Sequence, residues 1–380
     1  MNSRTHTGLS AAVAFLVTTW AVTAAAEVPP PLKQFGYDKG FFLRTENGDY
    51  GLLINSRFKP RFDFENHQTN ADGDRESKIA RFSVPVARLK LSGNIFVKAL
   101  TYSFEAEFGG GVPFMQDYFA DYAVVPGWFH VRVGQWKRPY SRQFIQNDGQ
   151  TQFIDAADIA KLGASRDIGL AFGNGYEQSP MIEWVIGVFN GTGIAADLTK
   201  TKFFNVPDKF NPMLVARVGY NFGGIKGYSE GDLEGGGFRF AVGASGQIDF
   251  DLPDKNKGNI KAQLDTIFKI AGFSFSGGVY GGWKQYTDAF SDLEKDFIGG
   301  FAQAGFVINK IVEPVVRFSA SAPKGPNNDV MDVAAGVNVF FWGTHLAKWQ
   351  LVYIAKLEEK AGVDKRFVAH ILQTQFHIGF

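Results

Sequence analysis

Hydrophobic and polar residues alternate one by one over several long stretches of the chain. In residues 53–64 the apolar side chains Ile54, Phe58, Phe62 and Phe64 fall on one face of the predicted strand. The polar and charged side chains Asn55, Arg57, Lys59, Arg61 and Asp63 fall on the other face. Because successive side chains of a strand point to opposite faces, this pattern predicts β-strands with one apolar and one charged face. The same pattern returns in residues 99–108, 214–220 and 312–319.

The length and number of these stretches favour a closed membrane barrel over a soluble sandwich, whose strands also alternate. Many stretches run about ten residues or more, as in tilted membrane strands, and they number about sixteen. After the N-terminal region, no stretch has the roughly 18 consecutive apolar residues of a spanning helix. Without helices, only a closed sheet satisfies every backbone N–H and C=O group in lipid. The sequence therefore predicts an all-β fold, a transmembrane antiparallel β-barrel of about 16 strands.

Short turns and long loops alternate along the chain, as is typical of bacterial outer-membrane barrels. Short turns are predicted at residues 92–94, 126–127, 271–272, 309–310 and 343–344. Long loops are predicted at residues 67–77, 109–116, 141–165, 190–211, 251–258, 287–296, 321–329 and 358–365. Aromatic girdles are predicted around Trp128, Tyr140, Trp283, Trp342 and Trp349. Residues 221–237 break the rule, because they are long and Gly-rich where a short turn is expected. They are either an unusual periplasmic turn or a place where the strands are miscounted.

Both ends of the chain carry features of export and assembly. Residues 1–26 contain Arg4, then an apolar stretch, then Ala24-Ala25-Ala26, which predicts a cleaved signal peptide; a membrane anchor is the alternative. Residues 27–47 are interpreted as a periplasmic leader and residues 48–380 as the barrel domain. The last strand is amphipathic and ends in Phe380, which looks like the signal by which the barrel-assembly machinery recognises its clients. We therefore expect a bacterial outer-membrane location, with surrounding lipid and lipopolysaccharide as partners.

Composition mainly excludes other classes of protein. The chain has no cysteine, which excludes a disulfide framework and a thiolate metal site. Loss of Arg4 with the signal peptide leaves 38 basic and 38 acidic residues, so no nucleic-acid partner is implied. The six histidines show no metal-ligand spacing, and neither a nucleophile elbow nor a P-loop is present. We therefore predict no cofactor, no metal site and no enzymatic activity.

Several stretches resemble the phosphate-selective porins of the O and P type. Residues 131–141, VRVGQWKRPYS, are similar to a strand end of that family, and residues 183–191, EWVIGVFNG, to a strand that ends in GVFNG. Residues 48–64 and 373–380 also fit the family pattern. The resemblance implies a sixteen-stranded barrel, a homotrimer and conduction of small anionic solutes such as phosphate. It also implies a third outer loop, here Ser141–Ser165, that folds into the lumen and narrows it.

The pore-lining candidates are basic residues that the alternation points inward. They are Arg57, Lys59, Arg61, Arg132, Arg217, Arg239 and Arg317. A guanidinium group suits phosphate because it offers planar, paired donors. The carboxylates of Glu105, Glu107, Asp265 and Glu313 also point inward, so the charges partly cancel. Phosphate selectivity, a general anion preference and no selectivity remain open, and a salt-bridged, solvated wall explains the same residues.

In the third loop, the candidate constriction residues are Arg142, Asp155, Asp158 and Lys161. Residues 153–162 predict a short helix that Phe153, Ala157 and Ala160 would hold against the wall. An ordered surface loop is the alternative.

Passive diffusion through a water-filled pore is the leading prediction of function. A second class is a structural or binding barrel with a plugged lumen, which would not conduct. A third is a barrel enzyme, but His345 and His370 have no obvious catalytic partner in the sequence. Single-channel conductance separates the first class from the second.

Overall fold

The sheet of this protein closes on itself. In a computed structural model, the described residues are 33–68, 76–111, 113–191, 195–197, 202–204, 212–250, 257–285, 296–323, 329–360 and 363–380. The predicted signal peptide lies outside these ranges. Every pair of neighbouring strands is antiparallel, and the last strand pairs with the first long one, for example Leu372 with Phe64.

Sixteen strands form the barrel, which confirms the predicted fold class. They are β3 (Gly51–Gln68), β4 (Glu76–Ile95), β5 (Val97–Glu107), β6 (Phe114–Val125), β7 (Phe129–Lys137), β8 (Arg166–Gly173), β9 (Ile182–Phe189), β12 (Met213–Phe222), β13 (Arg239–Asp249), β14 (Lys257–Ile270), β15 (Phe273–Gln285), β16 (Phe297–Phe306), β17 (Val312–Pro323), β18 (Val330–Phe340), β19 (Ala347–Lys360) and β20 (Val363–Gly379). Four short strands lie outside the ring: β1 (Phe35–Tyr37), β2 (Phe41–Arg44), β10 (Ala195–Asp197) and β11 (Lys202–Phe204). Two short helices, α1 (Arg142–Ile145) and α2 (Asp158–Lys161), lie between β7 and β8.

The burial pattern is the reverse of that of a soluble protein. Apolar side chains on the outer face are exposed, for example Leu264, Val279 and Ile298 at 57–69%. Charged side chains on the inner face are buried, and Glu183, Glu313 and Lys348 are fully covered. This arrangement suits a cylinder surrounded by lipid, in which the strands bond only with each other. None of the helices in the described part of the chain has the length and apolarity needed to cross a membrane.

The N-terminal part of the sheet begins earlier than the sequence indicated. Strands β1 and β2 form a hairpin, and β2 continues the sheet by pairing with the start of β3. Residues 35–44, which we assigned to the leader, therefore belong to the sheet. The rings of Phe41 and Phe380 pack edge to face, with their centroids 5.4 Å apart. The hairpin thus contacts the C-terminal residue at the end of the barrel that holds both chain termini.

The connections follow the predicted alternation, with two corrections. The first short turn lies at Phe96, between β4 and β5, rather than at residues 92–94, because those residues continue the ladder between the two strands. Tyr140 does not belong to an aromatic girdle, because it is fully buried and its hydroxyl donates to the carbonyl of Ala262. Residues 223–238 connect β12 to β13, so the strands were not miscounted there and the connection is an unusually long turn.

Gly134, in the stretch that resembles the porin family, occupies a position that excludes any side chain. Its φ of +128° is rarely adopted by other residues, and an added Cβ would lie 2.3 Å from the carbonyl oxygen of Tyr118. We expect Gly134→Ala to lower the free energy of unfolding by about 2–3 kcal/mol. Denaturant titration in detergent micelles, followed by tryptophan fluorescence, measures this loss.

Gly246→Ala is the matched control. An added Cβ at Gly246, in β13, meets no atom closer than 3.7 Å. This variant should unfold within about 0.5 kcal/mol of the wild type. Equal stability of the Gly134 and Gly246 variants would contradict the steric argument.

Candidate constriction site

The third loop (residues 141–165) lies against inward-facing side chains from strands far apart in the ring. Arg142 Nε donates to Asp265 of β14 at 2.5 Å. The side-chain amide of Gln152 donates to Glu313 of β17 at 2.7 Å. These bonds join residues more than a hundred positions apart in sequence, so they anchor the loop to the wall on the β14–β17 side.

The same loop also contacts the seam where the barrel closes. Arg57 forms an ion pair with Asp148, and Lys59 Nζ donates to the carbonyl of Asp148 at 2.9 Å. Arg61 pairs with Asp155 at 3.0 Å. On β19, Lys348 Nζ donates to the carbonyl of Thr151 at 2.6 Å. Residues 148–155 are therefore held by cations of β3 and β19.

Apolar contacts reinforce this attachment. Phe153 is buried and packs in a cluster with Val315, Ala334 and Val352 of the wall. Its ring also lies 4.5 Å from the guanidinium carbon of Arg317. The three apolar residues named from the sequence, Phe153, Ala157 and Ala160, are all buried. The predicted helix over residues 153–162 is too long, however, because only α2 at Asp158–Lys161 is helical.

The structure places the predicted basic residues in different surroundings. Four of them contact the third loop: Arg57, Lys59, Arg61 and Arg317. The contact of Arg317 is a hydrogen bond from its Nη1 to the carbonyl of Asp155. Arg132 instead pairs with Asp121 and with Glu177, a residue of the turn between β8 and β9. The predicted set therefore does not form one continuous track.

Two of the predicted pore-lining arginines pair with residues outside the third loop. Arg217 is fully buried between Glu183 at 2.9 Å and Asp265 at 2.7 Å, so it does not contact solvent. Arg239 pairs with Asp232 and Glu234 near the end that holds the chain termini. Both arginines are therefore occupied by carboxylates.

The remaining two predicted loop residues sit on an exposed edge. Asp158 and Lys161 form an ion pair at 3.0 Å, and Lys356 of β19 approaches Asp158 at 3.2 Å. Burial raises the pKa of Asp158, but the two lysines lower it more strongly, so its net pKa lies below the ordinary value. Asp158 is thus ionised at neutral pH.

Sequence reasoning missed two arginines of the same wall. Arg88 of β4 contacts Glu105, Glu107 and Asp148 within 3.3 Å. Arg166 pairs with Asp117 at 2.7 Å. The alternation around Arg88 could have found it, because Ala87, Leu89 and Leu91 share the apolar face and Arg88 and Lys90 the other.

The carboxylate of Glu177 carries a negative charge at the end of the barrel that holds both chain termini. Burial raises its pKa, whereas the guanidinium group of Arg132 lowers it, and the net pKa is below the ordinary value of a glutamate. The Arg132–Glu177 pair therefore stays charged at neutral pH. Within the described ranges, no group of three or more His, Asp or Glu side chains is arranged to hold a metal ion.

The comparisons with known proteins agree with this geometry. The model of the family "Phosphate-selective porin O and P" matches residues 54–226. The search of curated proteins found no match. The outer-membrane channel DcaP of Acinetobacter baumannii has a similar fold, with a TM-score of 0.62, 12% identity, and coverage of 89% of this chain and 99% of that one.

Two further solved porins have the same fold. An anion-selective porin from Comamonas acidovorans superposes with a TM-score of 0.55 at 11% identity, over 87% of this chain and 99% of that one. The trimer form of OmpT from Vibrio cholerae gives a TM-score of 0.55 at 11% identity, over 87% and 99%. At these identities the structures establish the fold alone.

A closed sixteen-stranded barrel with an apolar outside and a charged inside defines the class of bacterial outer-membrane porins, proteins through which solutes diffuse passively. The family match over residues 54–226, a little under half of the chain, confirms the resemblance drawn from the sequence. Family and fold are those of a channel rather than of an enzyme.

Proposed function

We propose that this porin favours small anions, including phosphate, and that the third loop narrows the lumen beside a wall of arginines. The wall is formed by the inner faces of β3 to β8. The observation that supports this proposal is a difference in the exposed fractions of the side chains along this wall. Five of its arginine side chains are 10–18% exposed, namely Arg57, Arg61, Arg88, Arg132 and Arg166, and Arg81 is 56% exposed. Four of its carboxylate side chains are only 2–10% exposed, namely Asp63, Glu105, Glu107 and Asp121, whereas Glu65 and Asp117 are 17% and 15% exposed.

The carboxylates of the third loop oppose this preference. Asp148 and Asp155 are 34% and 44% exposed; Asp148 pairs with Arg57 and Arg88, and Asp155 pairs with Arg61. Anions would therefore move along the arginine side, while the loop carboxylates limit the strength of the selectivity. A pore selects by its width and by the charges that line it. Arg217 is excluded from the permeation path because it is fully buried.

Neutralising one charged residue of the arginine wall and one of the third loop tests the proposal. We expect Arg61→Gln to lower the chloride-to-potassium permeability ratio about two- to threefold, since a change of about 0.5 kcal/mol in a solvated lumen has that effect. Asp155→Asn should raise the ratio by a similar factor. The reversal potential across a planar bilayer in a KCl gradient measures both changes.

Lys78→Gln is the control, because Lys78 lies at the outer end of β4 and its side chain is 64% exposed. It should leave the reversal potential near that of the wild type. Cation preference of the wild type, or equal shifts in all three variants, would disprove the anion assignment.

A second candidate function is a plugged barrel that binds or supports other components without conducting. One observation favours it: two chain segments from opposite ends of the barrel, the third loop and residues 223–238, form hydrogen bonds with each other. Absence of single-channel current from folded protein would favour this second function.

The assembly follows from the same class of fold. We infer a homotrimer in the outer membrane, supported by the trimer form of OmpT among the similar structures. Lipid and lipopolysaccharide would surround its apolar face, and the barrel-assembly machinery would recognise Phe380. We also infer that the chain has no enzymatic activity. Native mass spectrometry of detergent-extracted protein tests the stoichiometry.

A further inference from the structure

The long connection between β12 and β13, here called the inner turn (residues 223–238), does not project away from the barrel. Ile225, Tyr228, Ser229, Glu230 and Asp232 are buried to at least nine-tenths. A solvent-exposed turn would not bury two carboxylates and a tyrosine. The inner turn therefore lies inside the barrel, at the end that holds both chain termini.

The inner turn is attached to the wall by polar bonds. The hydroxyl of Tyr228 donates to Glu183 of β9 at 2.8 Å and accepts from Arg217 Nε at 2.9 Å. Asp232 accepts from Arg239 at 2.6 Å and from the backbone N–H of Gly272 at 2.9 Å. Because these partners belong to β9, β12, β13 and the turn after β14, the inner turn covers that sector of the wall.

An apolar contact and the backbone conformation fix its path. Ile225 packs against Ala241 and Ile267 of neighbouring strands. Gly223 and Gly224 have φ values of +71° and +70°, which turn the chain back into the barrel directly after β12. Glycine adopts this conformation without steric cost. The path is thus encoded in the Gly-rich sequence that interrupted the predicted alternation of turns.

The inner turn also holds the third loop. Glu230 accepts from the backbone N–H of Gln152 at 2.7 Å and from the side-chain amide of Gln143 at 3.1 Å. The backbone N–H of Glu230 donates to the carbonyl of Gln150 at 2.8 Å. Arg142 Nη1 donates to the carbonyl of Gly227 at 3.0 Å. Four hydrogen bonds therefore join a segment from one end of the barrel to a loop from the other.

We propose that the inner turn is a built-in closure that fills the β9–β14 side of the lumen, fixes the third loop, and confines permeation to the arginine wall of β3 to β8. The proposal rests on the porin activity but not on the anion preference. Charge on the arginine wall sets which ion passes, whereas the inner turn sets how much cross-section remains.

Replacing residues 224–238 by Asn-Gly, which forms a two-residue hairpin turn, tests the closure directly. We expect the single-channel conductance in symmetric KCl to rise about twofold or more, because current through a water-filled pore grows with its open cross-section. Heat-modifiable gel migration and the far-UV sheet signal verify that the variant folds. A folded variant with wild-type conductance would overturn the proposal.

A full-length variant covers the case in which the shortened chain fails to fold. Glu230→Ala/Asp232→Ala removes the acceptors that tie the inner turn to the third loop and to β13. We expect higher mean conductance and more open-channel noise. Lys226→Ala is the matched control, since Lys226 lies on the same turn but is exposed and pairs only with Glu234 among the described contacts. A double variant indistinguishable from this control would also overturn the proposal.

The two proposals fail in different measurements. A shift of conductance with unchanged ion preference supports the closure whatever the selectivity of the wild type. Current in the shortened variant but none in the wild type would support a complete closure and would contradict the proposed open pore. Absence of current in both the wild type and the shortened variant would overturn the proposed closure, because removal of the inner turn would not have opened the lumen.

Discussion

Asp265→Ala is expected to lower the free energy of unfolding by about 3–5 kcal/mol, the cost of leaving buried charges without their partner. Asp265 accepts from Arg142 at 2.5 Å and from Arg217 at 2.7 Å, and all three side chains are at most 4% exposed. After the substitution, Glu183 alone would face both guanidinium groups. Denaturant unfolding in detergent micelles measures the loss.

The same substitution should release the third loop, because Arg142 is one of its anchors. Lys226→Ala serves as the control for loss of an exposed ion pair, which contributes at most about 1 kcal/mol. A double-mutant cycle with Arg142→Gln separates the pairwise energy from the effects of each side chain. If Asp265→Ala and Lys226→Ala unfold alike, the buried cluster does not hold the loop.

Removal of the Phe380 side chain is expected to reduce the amount of folded protein in the outer membrane about tenfold. The backbone of Phe380 exchanges two hydrogen bonds of 3.1 Å with Ser56, and its ring contacts Phe41. Phe380→Ala removes an exposed ring that packs on Phe41 at the closing seam, a loss of about 1.4 kcal/mol, which corresponds to a factor of ten. It also removes the proposed assembly signal. Quantitative immunoblots of outer-membrane fractions measure the loss.

Phe376→Ala is the matched control, because Phe376 lies on the same outward face of β20 and is also exposed. It loses an equal ring but keeps the terminal residue. Similar membrane levels of both variants would show that Phe380 acts as an ordinary lipid-facing residue. Refolding of purified Phe380→Ala in detergent then separates a defect in assembly from a defect in stability.

Much of the barrel could be predicted because a strand fixes side-chain direction locally. The two-residue period placed Lys59 and Asp63 inside and Phe58 and Phe64 outside, and the structure has them so. The same rule would have found Arg88, had residues 76–95 been read for alternation. The turn at Phe96 was misplaced because Ser92-Gly93-Asn94 has the composition of a turn, yet these residues pair with β3 and β5.

Other features could not be read from the sequence because they depend on distant contacts. Tyr140 is an aromatic residue near a strand end, as girdle residues are. The fold nevertheless buries it, and its hydroxyl donates to the carbonyl of Ala262. Arg217 points inward as expected, but only its pairing with Asp265 removes it from solvent. The Gly-rich residues 221–237 were recognised as unusual, whereas their contacts with Glu183, Arg239 and the third loop were not predicted.

The sequence by itself determined which face of each strand is apolar, and therefore that the sheet must close into a membrane barrel, because alternation is a property of adjacent residues. Only the tertiary structure decided which connections contact the inner wall and which charges there are buried. Those outcomes depend on ion pairs and hydrogen bonds between residues far apart in the chain, such as Arg142 with Asp265 and Glu230 with Gln152. Such pairs leave no periodic trace in a single sequence.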